Sequence, residues 1–179
     1  MFCSALLVFE AENGLRTIGD NAFEHCTSMW RMYLPGSLEV LGTDTTYYNC
    51  NKLLRWTDDC VVRAVCSSTG MDWDETMREL AEHAIKTGYM LNTPENYGDY
   101  LEERGYVKQK QPVHKDGTKM KFHEFVKKFD GHAVCHCGKG HVTYVADNHV
   151  WDIWDVSDEV VGNYWVCEEE LPLVRKVVD

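Results

Sequence analysis

The sequence predicts an α+β fold with helices first and an antiparallel sheet afterwards, and three observations carry that expectation. Apolar residues recur at helical spacing between 57 and 129, they alternate with polar ones between 132 and 167, and Gly131 marks the change of period. A chain of 179 residues suits one domain with a short appendage, and its 44% hydrophobic share is enough to build a real core.

Each element has its own local signal. Thr57-Asp58-Asp59 is a helix start with acids at the positive end of the dipole, and Cys60 to Thr69 runs from it to a stop at Gly70. Asp72-Trp73-Asp74-Glu75 opens a second helix that carries Met77, Leu80, Ala81 and Ala84 at helical spacing and closes near Gly88. Asn96 to Arg104, ended by Gly105, reads as a third. Gln109 to Thr118 is a polar loop with an Asp116-Gly117 turn, and Phe122 to Phe129 is a fourth, short helix. Four strands follow, at His132–Cys137, His141–Ala146, His149–Trp154 and Asn163–Cys167, with Asp147-Asn148 as a two-residue hairpin turn.

Composition excludes several function classes. The net charge of −11 disfavours binding to a nucleic-acid backbone or an anionic membrane surface, so neither partner is expected. The longest apolar stretch, around Ala5–Phe9, is far short of a bilayer span, and no Lys or Arg precedes it as in a secretory signal. The 8 cysteines fall well below the density of a disulfide-built scaffold. A cytoplasmic chain with mostly reduced thiols is therefore expected. In that setting a cysteine is buried filler, a metal ligand or a nucleophile.

The first third holds an imperfect repeat. Leu15-Arg-Thr-Ile-Gly-Asp-Asn-Ala-Phe-Glu-His-Cys26 is echoed by Leu38-Glu-Val-Leu-Gly-Thr-Asp-Thr-Thr-Tyr-Tyr-Asn-Cys50, with a short strand at Tyr33-Leu34-Pro35 between the units. A period in the low twenties is the mark of a leucine-rich solenoid. The wording resembles the leucine-rich repeat of bacterial surface antigens (BspA-like), which implies that Phe23, Cys26, Cys50 and Leu53 are inward ladder positions. Two repeats cannot bury a solenoid core, so this segment either packs on something else, as a small β-rich cap, or is a remnant of a longer array; the cap is the expected case. The chain thus divides into a leucine-rich-repeat-like segment at 1–53 and an α+β domain at 54–179.

One constellation could carry chemistry. Cys60 sits at the first turn of a predicted helix, where unpaired N–H groups and the dipole favour a thiolate and can hold an oxyanion. His141 opens a strand, and the hairpin decides which acid accompanies it. A two-residue turn at Asp147-Asn148 sets Ala146 opposite His149 and His141 opposite Trp154, so Asp152 projects on the side of His141 and Asp155 on the other. A three-residue turn would reverse this and promote Asp155. In the first case Cys60, His141 and Asp152 form a Cys-His-acid set, with Asp152 orienting the imidazole. Arg63, three residues after Cys60, lies on the same helical face, placed for an ion pair with an acid of the hairpin.

Asp59-Cys60-Val-Val-Arg-Ala64, Trp73-Asp-Glu75, Gly140-His141-Val-Thr143 and Trp151-Asp152-Ile-Trp154-Asp155 resemble a group of small papain-like proteins of phages and gut bacteria. The resemblance covers roughly residues 57 to 167 and implies a papain-like cysteine peptidase fold. It also implies a thiol hydrolase acting on a protein or peptide substrate, with Cys60 as nucleophile, His141 as general base and acid, and Asp152 as orienting carboxylate. No cofactor is implied. Peptidases of this kind usually carry a Gln shortly before the Cys. Here Leu54-Arg-Trp56 stands there, with Asn51 the nearest amide, which leaves the oxyanion to backbone groups.

Two other readings stand beside it. His132, Cys135, His136, Cys137 and His141 crowd into ten residues, a Cys/His set of the kind that binds zinc, although strand alternation separates Cys135 and Cys137 from His136. A catalytically inactive papain-like module used for binding is the other. Trp151, Trp154, Tyr164 and Trp165 form an aromatic stripe, read as sheet core or in part as a substrate groove, for which Trp154 and Asp155 are the candidate substrate-binding residues. Cys66 reads as core, and Glu168-Glu169-Glu170 as a solvated acidic edge. Oligomeric state stays open.

Overall fold

A computed structural model describes residues 8–19, 22, 31–35, 37–41, 44–53, 55, 57–138 and 140–167. Phe23, Cys26 and Gly42 of the proposed repeat lie outside these residues, as do Cys3 and Glu168-Glu169-Glu170. The order is β1 (Val8–Glu10), β2 (Thr17–Ile18), β3 (Arg31–Tyr33), β4 (Val40–Leu41), β5 (Thr45–Tyr47), α1 (Cys60–Thr69), α2 (Trp73–Thr87) and α3 (Pro94–Glu103). Then come β6 (Tyr106–Gln109), α4 (Phe122–Phe125), β7 (Ala133–Cys137), β8 (His141–Ala146), β9 (His149–Asp152) and β10 (Val161–Cys167). The fold is mixed α+β.

One sheet of 8 strands, in the order β2-β4-β5-β9-β8-β7-β10-β6, organises the molecule, and β1 pairs with β3 in a separate parallel ribbon. The amino-terminal strands extend the sheet of the later ones: β5 runs parallel to β9, with Tyr47 beside Asp152. Tyr48 N–H also donates to the Asp152 carbonyl at 3.0 Å. The segment therefore packs through backbone pairing on the strand that carries Asp152.

The helices form where burial outweighs propensity. The α1 sequence is rich in β-branched Val61, Val62 and Val65, which are poor helix formers, but all three are buried against the sheet. Both α1 and α2 end on a left-handed glycine, Gly70 and Gly88. Thr93 caps α3 ahead of Pro94. Alternating strand residues serve two cores: Val134, Val142, Tyr144 and Trp165 face α1–α3, whereas Ala133, Cys135, Cys137 and Val145 meet Phe122 and Phe125 of α4.

Several expectations need correction. The segment Tyr106–Gln109, left unassigned except for Gln109 at the start of the loop, is an edge strand paired with β10; four residues give too little alternation to read. The fourth helix is a single turn, although Phe125 and Phe129 still stack at 4.8 Å. The strand expected to reach Trp154 ends at Asp152. Leu53 is 75% exposed rather than inward, because the Asn51 Oδ1 accepts the Leu53 N–H at 3.0 Å and turns the chain outward. The aromatic stripe also divides: Trp165 is core and Trp154 is exposed.

Among the described residues no helix is long and apolar enough to cross a membrane.

The α3 helix lies so near the sheet at Gly98 that a Cβ there would meet the Trp165 ring at 2.8 Å. Gly98→Ala should therefore cost about 1–3 kcal/mol through overpacking, measured by urea unfolding. A neutral or stabilising effect would contradict this packing.

Candidate active site

Cys60 is the first residue of α1, and the chain before it determines how that helix starts. Asp59 occupies the N-cap position but makes no side-chain cap. Its carboxylate turns inward instead, accepting from Trp73 Nε1 at 2.9 Å and Asn51 Nδ2 at 3.2 Å, and pairing with Arg63 one turn on. The first helical bond runs from Arg63 N–H to the Asp59 carbonyl at 2.9 Å, so the Cys60 amide lies outside the helical ladder. A groove of about 540 Å³ opens between the 51–57 segment and Trp73, beside this helix tip.

The hairpin supplies the other two groups. Asp147 and Asn148 both adopt positive φ, 53° and 62°, as a tight two-residue turn needs, and Ala146 pairs with His149. His141 begins β8 and Asp152 ends β9, so antiparallel pairing brings both to one end of the sheet. There His141 Nε2 donates to Asp152 Oδ2 at 2.6 Å. The Cys60 side chain faces the same imidazole closely enough to raise its pKa. Because Asp152 occupies Nε2, Nδ1 is the nitrogen left for sulfur.

The second Asp152 oxygen accepts from Ile153 N–H at 2.7 Å and faces Arg63 Nη2 at 3.9 Å. Arg63 thus meets the hairpin acid expected from sequence, and also Asp59, which sequence reading did not pair with it. The i, i+4 spacing of Asp59 and Arg63 was the available signal. Nothing in the sequence marked Trp73 as the donor to Asp59.

Trp154 lies parallel to the His141 ring, with centroids 5.0 Å apart and planes 4° apart, and is 44% exposed. It forms an accessible wall over the imidazole. Asp155 is used elsewhere: its Oδ1 accepts from Thr45 Oγ1 at 3.3 Å and from the Ser157 amide at 3.0 Å, tying the loop after β9 to β5. Asn51 spends its amide on Asp59. Cys66 is buried and its thiol donates to the Met71 carbonyl at 2.9 Å.

Burial alone would push His141 toward its neutral form. Hydrogen bonds to Asp152 and Cys60, with the Asp152 charge, outweigh it and carry the pKa up to about 9. His136, half-buried and facing the His141 charge, is held below the usual histidine range by desolvation first. Cys135 and Cys137 sit in the second core, where burial raises both thiols, Cys137 to about 12. Among the described residues no group of three or more His, Cys, Asp or Glu is disposed to hold a metal ion.

No family model, curated protein or solved structure matches the chain.

The raised His141 pKa makes stability depend on pH in a definite direction. The folded ring binds its proton more tightly than the unfolded one, whose pKa is about 6.5. The gain, up to about 3 kcal/mol, is complete below about pH 6.5 and is lost as pH rises through about 9. Unfolding free energy from urea titrations should fall over that window and lose most of the slope in Asp152→Asn. An equal slope in both proteins would contradict the assignment.

Proposed function

We propose that the chain is a thiol hydrolase of papain-like architecture that cleaves a peptide, isopeptide or amide bond, with Cys60, His141 and Asp152 as its triad. The observation that carries this reading is that one imidazole, hydrogen-bonded to a buried carboxylate, also faces the Cys60 side chain at a single end of the sheet. The order of residues along the chain and the resemblance to small papain-like proteins support it further.

His141 holds its proton up to about pH 9, so before attack the proton of the Cys60 thiol already sits on Nδ1 of the ring, and the sulfur attacks the substrate carbonyl carbon. The developing oxyanion is met by backbone N–H groups at the α1 tip, where Cys60 N–H stands outside the helical ladder. The tetrahedral adduct collapses, the C–N bond breaks, and the His141 proton leaves with the amine. Water then attacks the thioester while His141 takes its proton, and the C–S bond breaks to release the acid, leaving the Cys60 sulfur beside the protonated ring. Asp152 keeps Nε2 engaged throughout, fixing the ring. No cofactor enters the cycle. The free thiols described, Cys50 and Cys66 among them, suit a reducing compartment, and we infer a cytoplasmic setting.

Trp154 stacks on His141 and is open to solvent, so substrate should approach along its face, with the groove beside Trp73 receiving the neighbouring part of a peptide. Neither nucleic acid nor membrane has a role in this scheme.

A mixture of internally quenched peptides tests the proposal. The wild-type chain should cleave members of the mixture and take up an iodoacetamide-based probe fastest at Cys60, whereas Cys60→Ala should lose that fast phase of labelling, with cleavage falling by at least about a thousandfold. Probe labelling or cleavage that persists at full strength in Cys60→Ala would defeat the assignment.

A further inference from the structure

We propose that Asp59 and Arg63 are positioning residues for the triad, an ionic strut that runs inside the molecule from the residue before Cys60 to the carboxylate that orients His141. The inference rests on the triad reading and extends it to residues that need not touch substrate. Three observations carry it. Arg63 is only 5% exposed, and its guanidinium meets both carboxylates: Asp59 as a close ion pair and Asp152 Oδ1 at 3.9 Å. Asp59 is held from behind by Trp73 Nε1 and Asn51 Nδ2, so the strut has a fixed end. Asp59 is also the residue before the nucleophile, so the strut fixes one distance at both ends: where Cys60 starts the helix and where Asp152 holds the ring.

The charges agree with this role. Besides the two carboxylates, Arg63 faces Tyr47 and Cys50. Both stay protonated: burial raises Tyr47, and the hydrogen bond to Cys66, followed by burial, raises Cys50. Two acids against one guanidinium leave a buried negative charge, and an imidazolium at His141 balances it. The other groups facing that ring are Cys60, Asp152 and His136.

A purely structural pair would support folding and leave the imidazole unmoved. A positioning pair sets how well Asp152 reaches Nε2, so its loss should lower the His141 titration midpoint. Following the His141 ring by NMR from pH 5 to 10 reads this without any substrate. The wild-type midpoint should lie near 9. The double variant Asp59→Asn with Arg63→Gln removes both charges together, avoids a lone buried ion, and should lower the midpoint by about one pH unit or more, a tenfold weaker hold on the proton. Arg63→Lys keeps the cation but not the fork that spans both acids, so it should fall between the two and carries the test if the double variant does not fold. Iodoacetamide labelling of Cys60 at pH 7 should slow in the same order. Folded variants with an unchanged or raised midpoint would overturn the proposal, since simple removal of a nearby cation raises it. A wild-type midpoint near 6.5 is a different failure, because it would remove the triad reading itself.

Discussion

The arrangement depends on one buried carboxylate. Asp152 gives one oxygen to the His141 ring at 2.6 Å and the other to the Ile153 amide, with Arg63 facing it. A charge so far from water is costly unless several partners share it, and here each partner also has a position to hold. The ring is oriented, its Nδ1 is left for Cys60, and its proton is held to a pH well above that of an ordinary histidine. If Asp152 were lost, the imidazole would keep its burial and lose what offsets it.

The fold provides this carboxylate through strand ends rather than a strand face. Antiparallel pairing brings the first residue of β8 beside the last of β9, and α1 packs along β8 with its tip at that end. On the far side β5 pairs in parallel with β9, and Tyr48 N–H takes the Asp152 carbonyl, so the amino-terminal segment braces the backbone beneath the acid. Trp154 then stacks on the imidazole from the solvent side, where an aromatic face favours a cationic ring. The brace and the α1 helix meet on one residue.

Much of this was legible because its signals are local. Gly70 and Gly88 end helices that need a left-handed residue, and the Asp147-Asn148 turn sets a register from which the side of Asp152 follows by counting. What was not legible depends on distance along the chain. The partnership of Asp59 with Trp73 crosses from one helix tip to the next, and nothing in either residue's neighbours announces it. The pairing of β5 with β9 joins segments about a hundred residues apart, and a parallel pair leaves no turn to read. Leu53 misled because its apolar character fits a repeat pattern while a local Asn51 turn decides its exposure. The bonds of Asp155 to Thr45 and Ser157 likewise join it to a distant strand and a following loop, which its own neighbours do not announce.

The most direct measurement is the site-resolved rate at which iodoacetamide modifies each cysteine at pH 6, read by peptide mass spectrometry in the wild-type chain and in Asp152→Asn. A thiol in contact with an imidazole that still carries its proton should make Cys60 react well ahead of half-buried Cys50, and that lead should vanish when Asp152 can no longer hold the ring. A Cys60 no faster than Cys50, or one indifferent to Asp152, would contradict the account.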